Sequence, residues 1–149
     1  MSEPPGTLPP LQDLLRIFRE IETIAVVGAS SDESRPSHRI PRSLQAAGYR
    51  IVPVTPGAGP ILGVEPVRSL HDLPGRVDAV DVFRPAAEAP AIARDAVAVG
   101  ARLLWLQLGI VSEEARRIGE AAGLTVVMNA CMGAVHRKLA RRHGLSTGG

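Results

Sequence analysis

The chain of 149 residues has a single cysteine, Cys131, so no internal disulfide can staple it and a reducing cytoplasm is the expected compartment. Its four aromatics, two Phe, one Tyr and one Trp, are too few for a base-stacking surface, which sets nucleic acid aside as a partner. No apolar run reaches bilayer-spanning length, and the opening "MSEPPGTLPP" shows no basic-then-apolar leader pattern, so no membrane association is expected. Lysine is nearly absent: Lys138 stands alone, and arginine supplies the other positive charges of a chain with net charge +2. Arginine suits bidentate contacts to phosphate, although a GC-rich genome produces the same bias. His38, His71, His136 and His143 lack carboxylate or cysteine neighbours at metal-ligand spacing, and no Gly-x-Ser-x-Gly elbow occurs. Neither a metal centre nor a serine-type catalytic site is expected.

One stretch is defined by its missing glycines. "IAVVGASSDESRPSHRI", Ile24 to Ile40, runs from a β-branched segment through Gly28 into a polar loop and then a helical pattern. A dinucleotide fingerprint would hold two further glycines, where this chain has Ser30 and Glu33. The acid that should bind the ribose hydroxyls about 20 residues on is missing as well, since that region reads Val52-Pro53-Val54-Thr55-Pro56. An NAD(P)-dependent oxidoreductase is therefore the disfavoured reading.

What is present is an alternating α/β pattern with 45% apolar residues, enough for one core. Leu11, Leu14, Leu15, Phe18 and Ile21 form a helical stripe. Strands are expected at Ile24–Val27, Tyr49–Val54, Val77–Phe83, Arg102–Leu108 and Leu124–Asn129. Helices are expected from about Ser37 to Gly48, and over Ala86–Val99, Ser112–Ala122 and Gly133–His143. Pro41 fits the first of these only if it lies within about the first turn. The sequence thus predicts one domain over residues 11–143, between a disordered start (1–10) and a flexible end (144–149). Its fold is a three-layer, Rossmann-like, doubly wound parallel sheet of five strands in the order 3-2-1-4-5.

Such sheets bind ligands beyond the carboxyl ends of their strands. Gly28-Ala29-Ser30, with Arg35 and with Ser37 as a helix N-cap, is either a phosphate loop or a plain strand-to-helix turn. Arg84, after the third strand, either pairs with an anion or is a solvated arginine at a helix start, where the dipole disfavours it. Gln107 and Asn129 need polar partners, from a ligand or a neighbouring loop. Trp105 reads as core, and Cys131 reads as a small buried hydrophobe before it reads as a reactive thiol. The basic stretch "HRKLARRHG" reads as a solvated helix face with Val135 and Leu139 inward, or as a contact for a phosphate or a partner.

The ordered set "TIAVVGASSDESRPSHRI", "YRIVPVTP", "ILGVEPVRSL", "VDAVDVFRP", "WLQLGIVSEEA" and "GLTVVMNACMG" resembles the small bacterial CoA-binding proteins with a Rossmann-like domain, and the resemblance covers roughly Leu11 to Leu139. It is also similar to the nucleotide-binding part of the succinyl-CoA synthetase α subunit. The resemblance implies a pyrophosphate over Gly28, Ala29 and Ser30, with Arg35 and Ser37 nearby. It places adenosine near Pro53, Val54, Phe83 and Arg84, and the pantetheine arm toward Gln107, Gly109, Asn129 and Cys131. The sequence departs from the family pattern at Pro41 and in "ACMGAVHRK". The implied function is binding of coenzyme A or an acyl-CoA without catalysis of its own. The alternative is a partner subunit of a separate acyl-CoA ligase, and either a homo-oligomer or a complex with such a ligase is the expected assembly.

Overall fold

The computed structural model describes residues 8–145. The elements are α1 (Leu11–Glu20), β1 (Thr23–Val27), α2 (Pro36–Ala46), β2 (Arg50–Val54), β3 (Ala79–Val82), α3 (Ala89–Ala98), β4 (Leu103–Leu106), α4 (Glu113–Ala121), β5 (Thr125–Val127) and α5 (Met132–His143). All strand pairs are parallel. The expectations for residues 1–10 and 144–149 fall largely outside the described residues. Within them, Gly144 closes α5 in the left-handed conformation and Leu145 is buried. No helix among the described residues is long and apolar enough to cross a membrane.

Strand periodicity sorts the core onto two faces. Ile24, Val26, Ile51, Ala79, Leu103, Trp105 and Val127 point to one side, where α1, α2 and α5 deliver Leu14, Leu15, Phe18, Leu44, Met132 and Leu139. Ala25, Val54, Val80, Val82, Leu104, Leu106 and Val126 point to the other, against Ile92, Ala93 and Ala96 of α3 and Ala115 of α4. Trp105 is fully buried, as its strand position predicts, and its indole N–H donates to the Ala130 carbonyl at 2.8 Å, which fixes the entry into α5. Tyr49 likewise donates its hydroxyl to the Phe18 carbonyl at 2.8 Å, tying α1 to the start of β2.

The fold class stands, but the strand order is β2-β1-β3-β4-β5, not 3-2-1-4-5. Proline supplies the physical reason. In a strand a residue's N–H and C=O point to the same side, and the Pro53 carbonyl accepts from Val67 N–H outside the sheet, at 3.1 Å. The missing N–H of Pro53 therefore lies on the outer side of β2, where no ladder bond is lost. In the order 3-2-1 that side would face β3 and break its ladder. Thr55 N–H to the Val67 carbonyl completes the short bridge that covers this edge. The strand order reverses between β1 and β3, which puts the topological switch point there.

Helix α2 also departs from expectation. It begins at Pro36, whose fixed φ suits the first helical position, so Arg35 is the N-cap and Ser37 lies inside the first turn. Pro41 is buried at the sixth of eleven helical positions. Its absent N–H leaves the Ser37 carbonyl without an intrahelical donor, and Ser30 N–H fills that place at 3.3 Å.

Candidate functional site

Parallel strands bring Gly28, Phe83-Arg84, Gln107 and Asn129 to one edge of the sheet. Gly28 has φ +89°, and its N–H donates to the Val54 carbonyl at 2.9 Å. A Cβ added there would stand 3.0 Å from Arg84 Cδ and 3.2 Å from the Phe83 carbonyl oxygen. The end of β1 therefore presses directly on the end of β3, forming a low saddle at the switch point.

A cleft opens on each side of this saddle. On the α3 side, a cleft of about 340 Å³ is lined by Gly28, Val54, Thr55, Pro56, Arg68, Ser69, Arg84 and Glu88. On the α2 and α5 side, one of about 520 Å³ is lined by Arg35, Ser37, Arg39, Ile40, Phe83, Gln107, Leu108, Ile110 and Cys131. Each cleft has an apolar floor and arginines on its rim, the lining expected of a site for an anionic, partly apolar ligand.

The expected residues divide accordingly. Gly28, Val54 and Arg84 share the first cleft, and Arg35, Ser37, Phe83, Gln107 and Cys131 share the second. Pro53 lies outside both, because alternation turns it to the face opposite Val54. Ala29 is buried in the core. Ser30 holds the loop: its hydroxyl oxygen accepts from Asp32 N–H at 3.0 Å, and Asp32 in turn accepts from the N–H and hydroxyl of Ser34. These Ser34 contacts, the hydroxyl first, hold the Asp32 carboxyl below its usual range. Gly109 N–H donates to Asn129 Oδ1 at 2.7 Å, and Asn129 adopts φ +57°, so this pair latches the loops after β4 and β5 to each other. Cys131 is half-buried at the N-cap of α5, more open than a core hydrophobe.

Arg84 is not a bare cation at a helix start. Glu88 receives its Nε at 3.1 Å and its Nη2 at 2.8 Å, an exposed pair that raises the arginine and lowers the carboxyl. The basic end of α5 is excluded from the clefts: Arg141 lies ten residues past Cys131, roughly 15 Å along the axis. Leu139 is buried and Val135 packs against the same cluster, the inward stripe expected of that helix.

Sequence reasoning missed four groups. Arg68 and Ser69 enter the first cleft because Val67 bridges to β2, and their segment has no periodicity to reveal it. His38 is buried with Nδ1 2.8 Å from the Ser30 carbonyl; a carbonyl only accepts, so Nδ1 carries the proton and braces the loop. Asp81 is fully buried in β3, and burial pushes its carboxyl up to about 7 against the opposing hydrogen bond from Gln107. An acid inside an apolar strand was the available signal.

The order 2-1-3-4-5, with clefts flanking its switch point, defines a doubly wound α/β protein with a nucleotide-type crevice. Residues 22–137 match the model of the CoA binding domain, and the chain belongs to that family. It is 37% identical over 128 residues to the uncharacterized protein YneT of Bacillus subtilis, covering 86% of this chain and 95% of YneT. A solved structure from Thermus thermophilus superposes with a TM-score of 0.81 at 40% identity, over 86% of this chain and 97% of that one. An ADP-forming acetate–CoA ligase of Archaeoglobus fulgidus is 29% identical over 116 residues, which are 76% of this chain and 17% of the ligase.

Proposed function

We propose that the protein binds coenzyme A or an acyl-CoA across the saddle and catalyses no reaction itself. The observation that carries this reading is the pair of clefts that flank the β1/β3 switch point, in a chain of the CoA-binding family. The 3′-phospho-ADP half lies in the first cleft, where Arg68 and Arg84 meet its phosphates as charge-assisted partners. Val54 and Pro56 pack the adenine. The pantetheine arm crosses Gly28 into the second cleft and runs along Phe83, Ile110 and Gln107 toward Cys131.

Calorimetry tests this. CoA is expected to bind, adenosine 3′,5′-bisphosphate to compete, and NAD to bind far more weakly, since no acid stands at the ribose position. Equal or tighter binding of NAD would overturn the reading. A second reading, a subunit acting with a separate acyl-CoA ligase, is favoured by the match to one part of the acetate–CoA ligase. Co-purification with an ATP-binding ligase subunit supports it, and a chain that purifies alone with CoA bound favours the first.

A further inference from the structure

The larger cleft lies over an incomplete set of buried hydrogen bonds. Asp81 is fully buried in β3, between Val26 of β1 and Trp105 of β4 in register. Gln107, only 3% exposed, donates from Nε2 to Asp81 Oδ1. The second oxygen of the carboxyl, Oδ2, and the amide oxygen, Gln107 Oε1, are both buried without a partner among the described residues. With an ionised carboxyl both atoms are acceptors, and the pair leaves two oxygens and a charge unsatisfied in the core. One proton on Oδ2, donated to Gln107 Oε1, would satisfy both, since a carboxylic acid and a primary amide can close a ring of two hydrogen bonds.

We propose that Asp81 is a neutral acid that locks Gln107 in this ring, and that the locked amide offers its remaining N–H to a carbonyl oxygen of the ligand chain. A carboxamide has two N–H donors and one oxygen. The ring uses one donor and the oxygen, so a single donor is left for the cleft that Gln107 lines. The site therefore selects an acceptor, an amide or thioester carbonyl, over a donor. Asp81 is a positioning residue and does not touch the ligand.

Burial favours the neutral form, so the ring stands at pH 6 and opens as Asp81 ionises above neutrality. The other titratable groups of α1, α2 and α5 near this face are few, and His136 Nε2 is itself buried without a partner among the described residues. His38 of α2 bonds Ser30, and His136 of α5 sits edge-on to Phe18 and Tyr49. Arg35, Arg39 and Cys131 line the cleft, and Arg16, Arg19 and Glu20 of α1 are exposed. None of them forms a hydrogen bond or ion pair with Asp81. The carbonyl assignment rests on the CoA reading; the ring does not.

Two measurements separate these claims. Carboxyl carbon NMR of the ligand-free protein is expected to show one aspartate, absent in Asp81→Asn, that stays protonated at about pH 6; ordinary acidic titration of Asp81 overturns the ring. Calorimetry then compares acetyl-CoA, which has no ionisable thiol, with adenosine 3′,5′-bisphosphate, which has no arm. Between about pH 6 and pH 8.5 wild-type affinity for acetyl-CoA is expected to fall about threefold or more beyond any change for the bisphosphate. Asp81→Asn, whose amide closes the same ring without a titrating proton, is expected to show no such excess. Gln107→Leu is expected to weaken acetyl-CoA about threefold to tenfold and leave the bisphosphate unchanged. Identical pH profiles in wild type and Asp81→Asn overturn the gating, and an unaffected Gln107→Leu overturns the carbonyl contact. If wild type binds neither ligand, the CoA reading falls and the carbonyl assignment with it, while the NMR titration still decides the ring.

Discussion

Replacing Pro41 with alanine separates a helix defect from a working part of the loop. A proline inside a helix ordinarily costs about 3 kcal/mol relative to alanine. Three features of α2 offset that cost. The Ser37 carbonyl, which the N–H of residue 41 would have used, accepts from Ser30 instead, a bond worth about 0.5–1.5 kcal/mol. The ring is buried, and truncation to alanine removes roughly two methylenes at about 0.8 kcal/mol each. Proline also restricts the unfolded chain, by about 0.4–1 kcal/mol. These contributions nearly cancel the intrinsic cost, so Pro41→Ala is expected to change stability by no more than about 1 kcal/mol in urea denaturation. Ligand binding responds differently. The new N–H competes with Ser30 for the Ser37 carbonyl and loosens the loop after Gly28, so CoA affinity is expected to fall about threefold to tenfold by calorimetry. A variant stabilised by the full ~3 kcal/mol with unchanged affinity would refute the reasoning, because Pro41 would then be an unrelieved defect and the Ser30–Ser37 contact idle.

Gly28→Ala forces a side chain into φ +89° and against Arg84 Cδ and the Phe83 carbonyl, so a loss of about 1–3 kcal/mol in urea denaturation and clearly weaker CoA binding are expected. Wild-type stability would mean that the saddle is looser than its distances. Arg84→Ala is expected to lose about tenfold to a hundredfold in CoA affinity, and Glu88→Gln, which frees the same guanidinium, to gain about threefold at low salt, both effects shrinking as salt rises. An unchanged Glu88→Gln would place the pair outside the phosphate's path. Asp81 has a folded pKa of about 7 against an ordinary 3.8, so the folded state binds more protons between these values and stability declines as pH rises through that window, levelling off above it. From about pH 5.5 to 8 the wild type is expected to lose about 2 kcal/mol relative to Asp81→Asn, and parallel denaturation curves for the two would contradict it.

The parts of the fold that were legible are those fixed by local pattern. The stripe of α1 and the continuous apolar runs of β1 and β4 leave one placement each, and parallel strands must end on one edge, which puts Gly28, Arg84 and Gln107 together. Strand order is a non-local property. Its one local trace is Pro53, which tolerates an edge and not a centre, and periodicity does not weigh such a residue. Helix α2 starts before Ser37, the residue whose hydroxyl suggests a cap, because Pro36 already sets the first helical φ. Arg68 and Ser69 were illegible because a bridge formed by Val67 alone positions them. Asp81 was visible as an acid in an apolar strand, but its meaning depends on Gln107, a strand away in space and 26 residues away in sequence.

On the CoA reading, the same geometry accounts for one glycine where dinucleotide sites use three. In those sites the helix begins immediately after the first strand, and its N-terminal N–H groups hold the pyrophosphate, so glycines must let the backbone approach. Here α2 begins at Pro36, eight residues beyond Gly28, and the intervening N–H groups of Ser30, Asp32 and Ser34 are bound to the Ser37 carbonyl, Ser30 Oγ and Asp32 Oδ1. A loop closed on itself has less to offer an anion. The charge must then come from side chains on the rims, and the rims carry Arg35 and Arg39 on one side and Arg68 and Arg84 on the other. Serine and glutamate at the other two glycine positions, Ser30 and Glu33, cost such a site nothing. The glycine that remains, Gly28, is kept by a different constraint: any side chain there would meet Phe83 and Arg84 across the switch point.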